Sequence, residues 1–219
     1  MPFNNKIKSH FQEHFSIYVF VSVVFTIGVV FGSVLVSALT LDMNQDIARH
    51  LGNFFVNMDQ GLGIDSVRSF WTIFGLNVKW LLLIWLLGMS VVGLPVVLIL
   101  NFLKGALVGF TVSFMIVEYS WDGVLFSLTA VLPQNLVLIP VMLISSASAF
   151  AFSLYLVRNR FLKQNGSIYR PFTRYCLLTL LLTLLVAGIS FFEAYGSPEL
   201  MRAVTPVLAN FFGMQAEIV

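Results

Sequence analysis

The chain has 219 residues, of which 58% are hydrophobic and only 10% charged, with a net charge of +2. Soluble domains carry roughly a quarter charged residues, so most of this chain is excluded from water. The small net charge gives no footing for nucleic acid, and a single cysteine, Cys176, excludes an intramolecular disulfide.

The N-terminal segment holds Lys6 and Lys8, followed by His10-Phe-Gln-Glu13-His14. That string fits H-x-x-E-H, a zinc-protease pattern. A catalytic zinc also needs a third protein ligand and a walled cavity. The remaining histidine, His50, lies across the first apolar run. The motif therefore reads as a polar collar on a juxtamembrane helix, with no metal site expected.

Phe15 to Leu41 gives 27 uncharged residues, too long for a signal peptide and long enough to span a bilayer as a retained anchor. Its Gly28-x-x-x-Gly32 places two small residues on one helix face, where another backbone can approach. A homodimer through this face is conceivable. The loop that follows, 42–70, carries Asp42, Asp46, Asp59 and Asp65 against Arg49 and Arg68. Within it Ile47, Leu51, Phe54, Phe55 and Met58 recur at helical spacing, which predicts an amphipathic helix for the bilayer interface or a partner.

Between Lys79 and Arg158 lie 78 residues with only three charges, Lys104, Glu118 and Asp122. Uncharged runs at Trp80–Leu103 and Gly105–Val117 read as two spans divided at Lys104. For the second, a re-entrant half-helix is the alternative. It carries Gly105-x-x-x-Gly109, a second candidate packing face. Gly123 to Val157 is too long for one crossing at 35 residues. Pro133 and Pro140 interrupt it. The reading is a short helix to about Leu132 and then a span from Pro133, kinked at Pro140. Ser145 to Ser153 is rich in small residues, which points to the centre of a bundle. Gln134 and Asn135 beside Pro133 are candidates to line a cavity or to satisfy backbone groups freed by a helix break.

Arg158, Arg160, Lys163, Arg170 and Arg174 form an all-basic segment, the strongest cytoplasmic signal in the chain. Tyr175 to Phe192 gives the last span, and an acidic tail follows. The expected fold is all-α: a polytopic integral membrane helical bundle of about five transmembrane helices, N-terminus inside and C-terminus outside. The spans fall at about 16–39, 80–101, 105–121, 133–157 and 175–194. An extracytoplasmic loop 42–70, a cytoplasmic loop 158–174 and an extracytoplasmic tail 196–219 complete one membrane domain. Lys79, Lys104, Glu118, Asp122 and Glu193 are expected at membrane edges. Trp71, Trp80, Tyr119, Trp121 and Tyr195 are expected at the outer interface, and Tyr18, Tyr155, Tyr169 and Tyr175 at the inner one. No catalytic serine elbow, phosphate loop or paired intramembrane aspartates are present, so neither an enzyme nor a cofactor is expected.

Several motifs resemble one bacterial family. They run from Asn77-Val78-Lys79 through Leu86-Leu87-Gly88, Gly93-Leu94-Pro95, Phe102-Leu103-Lys104-Gly105 and Gly109-Phe110-Thr111. Pro133-Gln134-Asn135 and Pro140 continue them, with Tyr18-Val19-Phe20 near one end and Phe192-Glu193-Ala194-Tyr195 and Ser197-Pro198 near the other. Together they are similar to the stage II sporulation protein M family of endospore-forming bacteria. In wider relatives the proline motif reads Pro-His-Gly with a following glutamate, where Gln134, Asn135 and Leu138 stand here. The resemblance implies a non-enzymatic scaffold that recruits stage II sporulation proteins D and P. Those partners cut peptidoglycan at the sporulation septum, which leads to septal thinning and engulfment. A transporter or pore subunit with a polar site near Pro133-Gln134-Asn135 is the alternative.

Overall fold

The structure, a computed structural model, describes residues 3–59, 66–127, 132–158 and 168–196. Within these residues it is all helical: α1 (Phe3–Ser37), α2 (Leu41–Asp59), α3 (Ser66–Gly88), α4 (Gly93–Phe126), α5 (Leu132–Val157) and α6 (Tyr169–Tyr195). Five helices contain stretches long and apolar enough to cross a membrane: Phe15–Ser37, Val67–Gly88, Gly93–Glu118, Leu132–Val157 and Tyr169–Tyr195. At 1.5 Å per residue, even the shortest reaches about 33 Å, against a hydrocarbon core near 30 Å. The protein is a multi-pass membrane protein.

The second and third spans are not divided at Lys104. The break falls earlier, at Met89–Val92, and α4 runs unbroken from Gly93 to Phe126. The turn is tied by amide bonds from Met89 to the Leu86 carbonyl, Ser90 to Leu87 and Gly93 to Ser90. A Cβ on Gly93 would collide with the Leu87 carbonyl, so the chain can reverse here only with glycine. Pro95 then sits in the first turn of α4, where its missing N–H has no intrahelical acceptor to lose. As a result Lys79 and Trp80 lie within α3 and Lys104 within α4, away from the edges expected for them. Asn101 and Lys104 both fall inside a single continuous span, and no half-helix is present at 105–117.

Gly123 to Phe126 belongs to the end of α4 rather than to a separate short helix. Pro140 is accommodated inside continuous α5. Arg170 and Arg174 are on α6 rather than in a loop. The basic residues Arg160 and Lys163 and the tail beyond Gly196 lie outside the described residues.

Helix α5 is the hub: it packs against α1, α3, α4 and α6. Half of its most apolar window is buried, against 11–28% in the other four spans. Its buried face carries Ser145, Ser146, Ala147, Ala149 and Ser153, small enough for four neighbours to approach. Water expulsion cannot drive helix association in lipid, so close packing and interhelical polar contacts must do so. Helix α6 presents Tyr175, Thr179, Leu182, Val186, Ser190 and Ala194 at intervals of three and four, one face toward α3 and α5.

Candidate functional site

The four glycines expected to pack come together in one seam. A Cβ at Gly28 would strike the Phe102 carbonyl, and one at Gly32 the Ala106 carbonyl. Reciprocally, Gly105 lies against the Phe25 carbonyl and Gly109 against that of Val29. Both partners advance by four residues in the same direction, so α1 and α4 are parallel. The Ser33 hydroxyl extends the seam, 2.9 Å from the Val29 carbonyl and 3.4 Å from that of Gly109. The α1–α4 interface is the most extensive in the bundle. The Gly28–Gly32 face is therefore filled by α4 of the chain itself.

Next to this seam the interior turns polar. The side-chain amide of Asn101 is buried between α4 and α5; it donates to the Ser146 hydroxyl at 2.7 Å and to the Val97 carbonyl at 2.8 Å. Toward the start of α6, the Tyr175 hydroxyl donates to the Trp85 carbonyl at 3.1 Å, and its ring stacks on Phe152 with centroids 4.8 Å apart. Ser153 reaches the Ser90 carbonyl at 3.4 Å, tying α5 to the α3–α4 turn.

Two lysines sit at mid-span, and their surroundings differ. Lys104, 11 residues from Gly93 and 14 from Glu118, is half-buried and interacts electrostatically with Glu193 of α6. One carboxylate oxygen of Glu193 is buried without a hydrogen-bond partner among the described residues. Lys79, 12 residues from Val67 and 9 from Gly88, is exposed on the outside of α3. Charged groups at such depth are costly and are usually functional. Sequence reasoning missed both because it set the span boundaries at the charges themselves.

The expected helix break is an ordinary helix start. Pro133 is the second residue of α5, and Gln134 and Asn135 are half-buried in its first turn. Pro140 sits on the exposed side of the helix. None of the four interrupts the span.

The amphipathic segment forms α2, beginning at Leu41, shortly after α1 ends. No other helix packs extensively against it among the described residues. Ile47 is half-buried; the side chains of Leu51, Phe54, Phe55 and Met58 lie outside the described set, as do those of His10, Glu13 and His14. Asp46 and Arg49 face each other at 3.9 Å on the exposed side, a contact of little energetic weight. Among the described residues no three histidine, cysteine or acidic side chains gather as a metal site would require.

This architecture fits the comparison with known families, in which the model of stage II sporulation protein M matches residues 21–198. The chain belongs to that family. It is thus a sporulation-related membrane protein, and the match covers all five membrane-spanning stretches apart from the first residues of α1. No curated protein matches the chain. No solved structure matches it either.

Proposed function

We propose that this protein is a non-enzymatic scaffold that gathers a peptidoglycan-degrading complex at the sporulation septum. Its partners are stage II sporulation proteins D and P, and its task is to localise them for septal thinning and engulfment. Family membership is the observation that carries this reading. Two features support it. The bundle interior around α5 is closed by small side chains packed against four helices. Among the described residues no helix packs extensively against α2, whose apolar face is set by the spacing of Ile47, Leu51, Phe54, Phe55 and Met58. We place the N-terminus in the cytoplasm and α2 outside, following the basic bias of the segment Arg158 to Arg174.

The test is co-purification of the two partners with a variant carrying Phe54→Asp and Phe55→Asp. Loss of both partners, with the bundle still folded, is the expected result. Undiminished recruitment removes α2 from the recruiting surface, and absence of recruitment by the unaltered chain removes the scaffold reading altogether.

One observation favours the second reading, a transporter or pore subunit. Lys104 lies at mid-span within electrostatic reach of Glu193, two residues from the end of its span, and ionisable groups in spans often mark ion or proton paths. Proton flux into vesicles containing the purified chain, abolished by Glu193→Gln, is the result that would establish it.

A further inference from the structure

Lys79 projects from the least covered helix of the bundle. Only 11% of the most apolar window of α3 is buried, the lowest share among the five spans. On one side of α3 exposed Thr72, half-buried Gly75 and exposed Lys79 follow at intervals of three and four, with exposed Leu76 and Leu83 flanking them. A Cβ on Gly75 would meet nothing within 4 Å, so the helix surface is indented there. Among the described residues Lys79 makes no hydrogen bond or ion pair.

We propose that this Thr72–Gly75–Lys79 face is a docking surface for a transmembrane helix of another protein, one that carries a carboxylic side chain at mid-depth. The proposal stands apart from the scaffold reading, because it concerns what binds within the bilayer rather than what is recruited outside it.

Charge and depth select the occupant. Lys79 lies nine residues from the nearer end of its span, about 13 Å at 1.5 Å per residue. Its side chain extends roughly 6 Å, five bonds in zigzag, so snorkelling leaves the ammonium short of the lipid headgroups. Lipid thus offers this charge no counter-ion at its own depth. The chain handles its other mid-span lysine differently: Lys104 is half-buried in the bundle and within electrostatic reach of Glu193. A second copy of the chain does not supply the missing acid. The only acids within the five spans are Glu118, at the very end of one, and Glu193, two residues from the end of another, so neither lies at the depth of Lys79. Beside Lys79, the open Gly75 lets a second helix backbone approach closely, as small residues do at membrane interfaces.

The experiment uses the full chain in phosphatidylcholine vesicles and a leucine-rich single-span peptide with either Glu or Gln at its centre. Energy transfer between labels on chain and peptide reports association. We expect about tenfold tighter association of the Glu peptide than the Gln peptide, the upper range for interhelical polar contacts in lipid. Lys79→Gln should erase that preference. Gly75→Leu should weaken association of both peptides by filling the indentation. Gly188→Leu, at a second open glycine on α6, should leave association unchanged. A Cβ at either glycine meets nothing within 4 Å, so these variants should keep the thermal midpoint of the parent or raise it through helix propensity. Equal association of the two peptides, or a Glu preference that survives Lys79→Gln, overturns the proposal. So does an equal effect of Gly75→Leu and Gly188→Leu. Self-association of the chain that Gly75→Leu abolishes would instead assign the face to a second copy.

Discussion

The side-chain amide of Asn101 lies 2.7 Å from the hydroxyl of Ser146, joining α4 to α5 in the buried centre of the bundle. Since α5 also touches α1, α3 and α6, this contact lies at the centre of the hub. Replacing Asn101 with Leu keeps the branching and the number of side-chain heavy atoms but removes the bond. The bundle should lose about 0.6–1.7 kcal/mol, the range measured for interhelical hydrogen bonds in membranes. Unfolding in mixed micelles with rising denaturing detergent measures it.

The glycines divide into two groups with opposite expected behaviour. At Gly32 and Gly105 an added methyl meets the carbonyl backbone of the facing helix, which cannot swing aside. Gly32→Ala and Gly105→Ala should each destabilise by about 1–3 kcal/mol through overpacking. At Gly75 and Gly188 the space is open, and alanine should stabilise by up to about 1 kcal/mol through helix propensity. Thermal midpoints of the four variants in one detergent read the contrast directly.

Tyr175 joins three helices, stacking on Phe152 of α5 and donating its hydroxyl proton to the Trp85 carbonyl of α3. Tyr175→Phe removes the hydrogen bond alone and should cost about 1 kcal/mol. Tyr175→Ala also opens a cavity and should cost about 3–5 kcal/mol, as large aromatic truncations in cores do. A ratio near one between the two losses would show that the ring packing contributes little.

Orientation is checked by labelling. In a Cys176→Ser background, Gln45→Cys on α2 and Tyr169→Cys at the start of α6 place single thiols at exposed positions on opposite sides of the proposed topology. A membrane-impermeant maleimide applied to intact cells should label position 45 and spare position 169. The reverse pattern would invert the protein in the membrane.

Much of the bundle was legible in the residues alone. Long uncharged runs have no soluble alternative, so five spanning helices followed from composition and length. The spacing of Ile47 to Met58 marked α2, because an apolar face at helical period needs only local geometry. Glycines four apart marked faces suited to close approach, for the same local reason.

What the linear pattern could not show was which surface each face would meet. Gly28 and Gly32 meet the backbone of Phe102 and Ala106, and Gly105 and Gly109 that of Phe25 and Val29, across parallel helices that are not neighbours in sequence, and only folding chooses that pairing. The boundary between the second and third spans was misplaced for a related reason. A charge looks like a membrane edge in one dimension, whereas in three dimensions Lys104 falls at mid-span of α4, half-buried and within electrostatic reach of Glu193, 89 residues later. The true turn was signalled by Gly93 and Pro95, residues whose backbone geometry outranks hydropathy at that point. Composition by itself thus determined that the chain crosses the membrane and about how many times. The tertiary structure decided where it turns and which polar groups meet, because those depend on contacts between residues far apart in the chain.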